Sequence, residues 1–276
     1  MFTRTLVLIC ICFSFQLKAD YVIKGKVNLN DQWKPKVYMA AIHKLNDYYR
    51  TDSDLIIKTA DVDADGNFTI EGNNLPNDKR FYRLYLMKAF NSEFDACLYF
   101  DGEDHNFIHV ILDNDTKLEI STMDLTGAPF DHYKVIGDHQ NTLMNKLATI
   151  VFPSFYFYKI KFPSEREFSE EQFQLDLKNF SDTCQNTLVA LAAVANTDFD
   201  NFFDGNKSYY YNFAERLKQD IPNSIYTENY NSKLDYYSGS ITKPINIYKY
   251  LFFGLALFLI PLLLYTAQLR AKMKQN

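Results

Sequence analysis

An uncharged apolar segment near the C-terminal end constrains this chain more than any other feature. Residues 251–265 contain no charged side chain, and extending the segment back to Ile245 adds only one, Lys249. A helix needs about 20 apolar residues to cross a bilayer core of roughly 30 Å, and tyrosines flank the segment as they flank membrane spans. The alternative is a buried core helix, but such helices are rarely apolar on every side. We therefore expect a transmembrane helix at residues 245–267.

The N-terminus predicts a secretory signal peptide at residues 1–19. Arg4 is followed by an apolar run at residues 6–15 and then by Ala19, which precedes the polar Asp20. A short basic start, an apolar stretch of about 10 residues and a small residue before the cleavage point are typical of such peptides.

The two apolar segments together predict the topology. A cleaved signal peptide followed by a membrane helix would place the region between them outside the cytoplasm. The short tail at residues 268–276 is basic, as the positive-inside rule expects of a cytoplasmic end. We therefore expect a single-pass protein of the plasma or inner membrane, with its N-terminal ectodomain in the periplasm or outside the cell.

The first part of the ectodomain, residues 20–134, has the pattern of a β-sandwich domain. Short apolar or alternating segments are separated by Asn, Asp, Gly and Pro, which is typical of antiparallel sandwiches. The segment at 37–43 is apolar without alternation, which indicates a strand buried on both faces. The predicted strands lie at residues 21–27, 37–43, 55–60, 67–71, 81–87, 96–100, 107–112 and 117–121.

Residues 135–240 change to a helical period. The longest apolar stripe has spacings of three and four residues, and Ser169 begins a capping box that predicts a helix start. The stripe comprises Phe173, Leu177, Phe180, Cys184, Leu188, Leu191 and Ala195. The expected fold class is therefore α+β: an antiparallel β-sandwich domain, then a small helical region and one transmembrane helix.

Charge and cysteine content exclude two classes of function. The formal net charge is −5, and without clustered Lys and Arg the ectodomain is not expected to bind nucleic acid. After removal of the signal peptide only Cys97 and Cys184 remain, and no CxxC motif exists for thiol–disulfide exchange. A bridge between the two is one alternative; a buried thiol at Cys184 on its apolar stripe is the other.

One acidic motif is a candidate metal site. Asp61, Asp63 and Asp65 precede Gly66 in the order of the first half of an EF-hand calcium loop, but the twelfth position, which should supply a bidentate Glu, is Gly72. Both flanks also alternate like strands. The favoured interpretation is a β-hairpin turn in which Asp-Gly accommodates a positive φ, and the alternative is a weak calcium site.

No catalytic constellation stands out. His105 and His109 are four residues apart, but along a strand that spacing is about 13 Å, too far to share one metal ion. We find no nucleophile elbow, phosphate-binding loop or zinc-protease motif. The sequence therefore predicts no cofactor and no enzymatic activity.

Three short segments resemble known bacterial modules. Residues 21–27, 33–39 and 63–70 are similar to the opening of carboxypeptidase-regulatory-like and DUF4369-like β-domains, and residues 215–226 are similar to a helix that often ends such regions. The order of signal peptide, β-domain, helices and membrane helix resembles the sensor half of membrane-anchored LuxR-type regulators. Those proteins continue into a DNA-binding domain, whereas this sequence ends at Asn276, so the resemblance implies sensing without DNA binding.

Three functions remain after these arguments. The first is a membrane-anchored, non-catalytic binding or sensing module whose ectodomain has a protein or glycan ligand. The second is the sensor half of a membrane-bound transcriptional regulator without its DNA-binding domain. The third is a membrane-anchored enzyme with an unrecognised carboxylate site, which would need carboxylates of strongly perturbed pKa in a cleft.

Overall fold

The computed structural model describes residues 21–92, 96–100, 104–154 and 162–239. The predicted signal peptide at 1–19, the membrane helix at 245–267 and the tail at 268–276 lie outside the described residues. Within the described ranges, no helix is both long enough and apolar enough to span a bilayer.

In the described residues, eight strands form two four-stranded sheets. The first sheet has the order β4-β1-β7-β8 and the second has the order β3-β2-β5-β6. All pairs are antiparallel except β1 and β7, which are parallel. The α+β class is confirmed, and the expectation of a wholly antiparallel arrangement is corrected by this one pair. The strands are β1 Tyr21–Lys26, β2 Trp33–Ala41, β3 Ile56–Asp61, β4 Asn67–Gly72, β5 Arg80–Lys88, β6 Phe107–Leu112, β7 Lys117–Ser121 and β8 Lys134–Ile136.

The two sheets differ in how many faces they bury. Strands β4 and β7 of the first sheet alternate between buried and exposed residues, so this sheet has one face in solvent. Strand β6 of the second sheet is buried at every position, and β5 at all but its two ends. Alternate side chains of both sheets meet in one shared hydrophobic core. The second sheet is therefore the inner one, covered on its other face as well.

Six α-helices follow the strands in the part of the chain that the structure describes. They are α1 His139–Ser154, α2 Pro163–Thr183, α3 Thr187–Ala195, α4 Phe199–Phe202, α5 Lys207–Asp220 and α6 Ile225–Ser238. One compact unit ends at Asn231 and includes both sheets and α1 to α5. Two helical side chains of this unit bond to the inner sheet. Asn141 on α1 bonds to β6, and Tyr226 on α6 bonds to the start of β5.

Three local predictions are corrected. Residues 96–100 are not a strand, because their backbone bonds to the side chain of Asn106 and not to a neighbouring strand. Helix α2 begins at Pro163, so Ser169 is not a cap; its hydroxyl donates to the carbonyl of Glu165 inside the helix. The long apolar stripe breaks after Thr183, and α3 starts afresh with Asn186 as its N-cap.

Candidate functional site

The helix-facing side of the inner sheet carries a buried polar cluster. Arg83 on β5 and His109 on β6 are cross-strand neighbours, and both are buried. Arg83 Nη1 donates to the Tyr48 carbonyl at 2.9 Å, and Nη2 donates to the Arg50 carbonyl. His109 Nε2 lies 2.8 Å from the same Tyr48 oxygen, so this nitrogen carries the ring proton. The cluster thus ties the β2–β3 connection, residues 42–55, to the sheet.

Burial dominates the electrostatics of this cluster. It lowers the pKa of Arg83 to about 10, and it lowers the pKa of His109 well below the ordinary value, with the Arg83 charge acting in the same direction. Both donors are engaged by main-chain carbonyls of the connection. Their chemistry is therefore that of a loop clamp, in which both Nη groups of Arg83 and His109 Nε2 bond to main-chain carbonyls, while the buried Arg83 Nε has no partner among the described residues.

A second polar feature is an open cavity at the end of the first sheet where β1 and β7 finish. We call it the aromatic pocket; its volume is about 420 Å³, which is within the usual range for small-ligand sites. It lies between the β7–β8 connection, residues 122–133, and the outer side of α1. The lining residues are Phe100, His105, Thr126, Phe130, Asp131, His132, Tyr133, Asn145, Ala148, Thr149, Phe152 and Pro153.

The 122–133 connection is held in place by two polar side chains. Asn28, just after β1, donates through Nδ2 to the carbonyls of Met123 at 2.9 Å and Ala128 at 3.0 Å. Asp131 accepts the backbone N–H groups of Leu125 and Thr126, both at 2.6 Å through Oδ2. The backbone beside the pocket is therefore organised by hydrogen bonds to the side chains of Asn28 and Asp131.

Asp131 also forms a pair with His132 at the rim of the aromatic pocket. Asp131 Oδ1 bonds to His132 Nδ1; the carboxylate side chain is only 4% exposed, whereas the imidazole is 59% exposed. Burial alone would raise the pKa of Asp131, but hydrogen bonds from Thr126, His132 and Leu125 outweigh it and lower the pKa. The result is an ionised carboxylate that orients an exposed imidazole.

The backbone of His132 is also unusual. Its φ is 41°, the one positive φ among the described non-glycine residues. The left-handed region costs an ordinary L-residue free energy, and such residues concentrate at functional sites and tight connections. Here the conformation places the imidazole where Asp131 can hold it.

His105 forms part of the pocket wall. Its ring centroid lies 4.2 Å from that of Phe152 and 5.4 Å from that of Phe107. His105 Nε2 is enclosed and has no hydrogen-bond partner among the residues that the structure describes. Burial lowers the pKa of His105 to about 4, against the smaller opposing effect of hydrogen bonds with backbone groups of Phe107 and Phe130. The wall therefore contains a neutral imidazole with one unsatisfied nitrogen.

His105 and His109, which are four residues apart in the sequence, occupy different positions relative to β6. His105 lies just before β6 and His109 within it, and the Phe107 ring packs edge-on against both imidazoles. Residues 107–112 form the predicted strand, and the Phe107 ring contacts both imidazoles. In the part of the chain that the structure describes, no group of three His, Cys, Asp or Glu side chains is arranged to hold a metal ion.

The acidic motif lies in a turn in which the carboxylate of Asp63 accepts hydrogen bonds from the backbone. Asp63 Oδ1 accepts the backbone N–H groups of Asp65 at 3.0 Å and Asn67 at 2.8 Å, and Gly66 has a φ of +85°. Asp61 faces Lys36 at 3.7 Å. The flanking strands β3 and β4 belong to different sheets, so the turn joins the sheets and is not a hairpin. The hydrogen bonds to Asn67 and Asp65 lower the pKa of Asp63.

The cysteines have different surroundings. Cys97 is exposed and Cys184 is buried, and no disulfide joins these two described cysteines. The buried thiol at Cys184 agrees with its position on the apolar stripe.

Sequence analysis missed the residues of the aromatic pocket. His132 and Asp131 are adjacent in sequence, but they follow Pro and Phe in an irregular segment with no recognisable motif. Their one local signal is Gly127, which marks a turn with a φ of +78° within the connection. The contacts that build the pocket come from Asn28 and from α1, which are remote in sequence.

Comparison with protein-family models, curated proteins and solved structures finds no match for this chain.

Proposed function

We propose that this chain is a single-pass, membrane-anchored extracytoplasmic module that binds a small ligand in the aromatic pocket. The anchoring and the topology rest on the predicted signal peptide and on the apolar segment at 245–267. The binding function rests on one observation, an open cavity of about 420 Å³ with aromatic walls and a few polar groups at its rim. Ligand sites commonly combine these features.

The aromatic pocket supports a binding function better than the buried cluster does. Arg83 and His109 are enclosed and bonded to the main chain. In contrast, His132 is exposed, and its ring is oriented by a carboxylate. Rigid aromatic walls with a few oriented polar groups lose little conformational entropy when a ligand binds.

The enzymatic alternative receives less support from the titration behaviour of the carboxylates. A general acid needs a raised pKa near neutrality. The pKa values of Asp63 and Asp131 are both lowered, which is the opposite of what a general acid needs. An Asp–His pair is also an arrangement found in catalysis; the described pocket lining offers the hydroxyls of Thr126 and Thr149 but no Ser hydroxyl or Cys thiol as a nucleophile. Binding is therefore the function we propose.

The first experiment tests whether the pocket binds ligands. Full-length protein in lipid nanodiscs is screened by saturation-transfer NMR against a mixed set of neutral, cationic and anionic ring compounds. Thr149→Trp, on α1 at the pocket wall, should abolish binding by filling the cavity, whereas Thr142→Trp, exposed on the same helix but outside the pocket, should preserve it. Binding that persists in Thr149→Trp would overturn the assignment of the pocket.

The second experiment tests the topology. Cys97 is exposed, so a membrane-impermeant maleimide added to intact spheroplasts should label it, and Cys97→Ser should lose this labelling. Labelling of Cys97 only after lysis would contradict an extracytoplasmic location.

A further inference from the structure

Two side chains of the inner sheet meet on one main-chain oxygen of the β2–β3 connection. The Tyr48 carbonyl accepts a hydrogen bond from Arg83 Nη1 at 2.9 Å and lies 2.8 Å from His109 Nε2. The Tyr48 ring also covers the imidazole, with the two ring centroids 4.1 Å apart. The guanidinium is charged at neutral pH, so the connection docks His109 beside a buried positive charge.

The other titratable groups near His109 are neutral when the connection is docked. Tyr49 packs edge-on against the imidazole with the centroids 5.4 Å apart, and Tyr133 lines the small cavity beside the ring. Burial raises the pKa of both phenols, and it lowers the pKa of His105, four residues earlier, to about 4. The lining residues from α1 and from the end of α3 carry no charge. These groups therefore offer no negative charge to a protonated His109.

Two acidic side chains of the connection are already paired with Arg50. The buried Asp47 accepts a hydrogen bond from Arg50 Nη1 at 2.8 Å, and Asp52 accepts one from Nη2. Either carboxylate would have to leave Arg50 before it could neutralise a second cation. A proton on the buried imidazole therefore costs free energy as long as the connection is docked, because the new charge is poorly hydrated and lies beside Arg83.

We propose that the β2–β3 connection is an acid-sensitive segment: protonation of His109 releases residues 44–55 from the inner sheet. When the connection lifts, water reaches the imidazole and hydrates its charge, so the open form binds a proton that the docked form excludes. Burial and the Arg83 charge, which both lower the pKa of His109, act in this direction. The device goes beyond the proposed ligand binding and does not depend on it.

The connection also adjoins the proposed ligand site. Tyr48 and Tyr49 close one side of the small cavity beside His109. Three other residues line both this cavity and the aromatic pocket; they are Tyr133, Ala148 and Phe152. Release of the connection therefore uncovers the opposite side of a wall that belongs to the aromatic pocket.

Hydrogen exchange of the full-length protein in lipid nanodiscs tests this device. Protection factors, which remove the intrinsic pH dependence of exchange, are measured for residues 44–55 from neutral pH to about pH 4. If opening takes up one proton, protection should fall about tenfold for each pH unit below about 6.5. The segment should also be less protected than strand β7 at every pH, because it opens without unfolding of the whole protein.

Two variants and one spectroscopic measurement assign the proton to His109. His109→Gln keeps an N–H donor for the Tyr48 carbonyl but cannot be protonated, so the fall in protection should disappear. His105→Phe removes the other buried imidazole and should leave the tenfold fall at residues 44–55 intact. In wild-type protein labelled with ¹⁵N-histidine, the ring nitrogens of His109 should keep the chemical shifts of a neutral imidazole below pH 6.5 while the connection is docked.

Three results would overturn the inference. The first is protection at residues 44–55 that does not depend on pH, or that falls as steeply in His109→Gln as in wild type. The second is equal protection of this segment and β7, since the connection would then open only when the whole protein unfolds. The third is a His109 ring that becomes protonated near pH 6.5 while the segment stays protected. This last measurement uses the wild type, so it decides the question even if His109→Gln does not fold.

Discussion

The side-chain amide of Asn141 pairs with both backbone groups of Ile111. Asn141 Nδ2 donates to the Ile111 carbonyl at 2.8 Å, and its Oδ1 accepts the Ile111 N–H at 2.8 Å. Ile111 lies on β6, which is the last strand of the inner sheet, so the amide occupies the place of a further strand. In this way α1 covers a sheet edge that would otherwise expose unpaired main-chain groups.

Asn141→Ala should therefore destabilise the protein by about 2–4 kcal/mol, because it leaves two buried main-chain groups of Ile111 without partners. Urea unfolding of the full-length protein followed by circular dichroism measures the change. Lys146→Ala, at an exposed position on the same helix, is the control and should stay within about 0.5 kcal/mol of wild type. A similar effect of both variants would contradict the role assigned to the Asn141 amide.

The hydroxyl of Tyr226 should make a comparable contribution. It donates to the Ile42 carbonyl at 2.5 Å and accepts the Phe81 N–H at 2.9 Å, which joins α6 to the end of β2 and the start of β5. Tyr226→Phe keeps the ring but removes this bridge, and we expect a loss of about 1–3 kcal/mol. Tyr211→Phe, at a residue that is 44% exposed, is the matched change and should have little effect in the same unfolding measurement.

Removal of the Arg83 guanidinium should loosen the connection that it clamps. Arg83→Met fills similar volume but cannot bond to the carbonyls of Tyr48 and Arg50. We expect faster hydrogen exchange across residues 44–55 and a stability loss of about 2–4 kcal/mol. Strand β7 is the internal reference and should keep its normal exchange. Unchanged exchange at residues 44–55 would show that Arg83 is not needed to hold this connection.

Stability should depend on pH through His105. Its pKa is lowered from the ordinary 6.5 to about 4 in the folded protein, so the unfolded chain binds more protons between these two values. Stability should therefore be fully present above pH 6.5 and fall as the pH drops toward 4, by about 3 kcal/mol in total. His109, whose pKa is also lowered by burial, acts in the same direction.

His105→Phe should make this pH profile less steep, because one of the two buried imidazoles whose pKa is lowered is absent while His109 remains. His43→Gln, at an exposed position, should leave the profile unchanged. The measurement is chemical unfolding at a series of pH values, and a profile in His105→Phe that is as steep as in wild type would assign the dependence to other groups.

Much of the secondary structure follows from the residue pattern. The residue pattern predicts strands at 67–71, 107–112 and 117–121, and the continuous apolar segment at 37–43 predicts a strand buried on both faces; all four strands are observed. The helices at Lys207–Asp220 and Ile225–Ser238 likewise follow from the spacing of their apolar residues. These patterns are local, so no knowledge of distant contacts is needed.

The incorrect predictions have a different cause, because they concern contacts that form only in the tertiary structure. Residues 96–100 have the composition of a strand, but the side chain of Asn106 takes their backbone groups. The acidic turn has the composition of a hairpin, but β3 and β4 enter different sheets. In both cases the tertiary structure decides which groups the backbone bonds to. Local propensity alone does not predict this choice.

The sequence alone thus determined where most strands and helices form and that β2 has two buried faces, because side-chain periodicity sets the faces that leave water. Only the tertiary structure decided that β1 and β7 are parallel and that His105, Asp131 and His132 line one cavity. The pocket depends on Asn28, which bonds to Met123 across 95 residues of chain, and on α1. Such contacts arise from the packing of whole elements, and no short segment of the sequence encodes them.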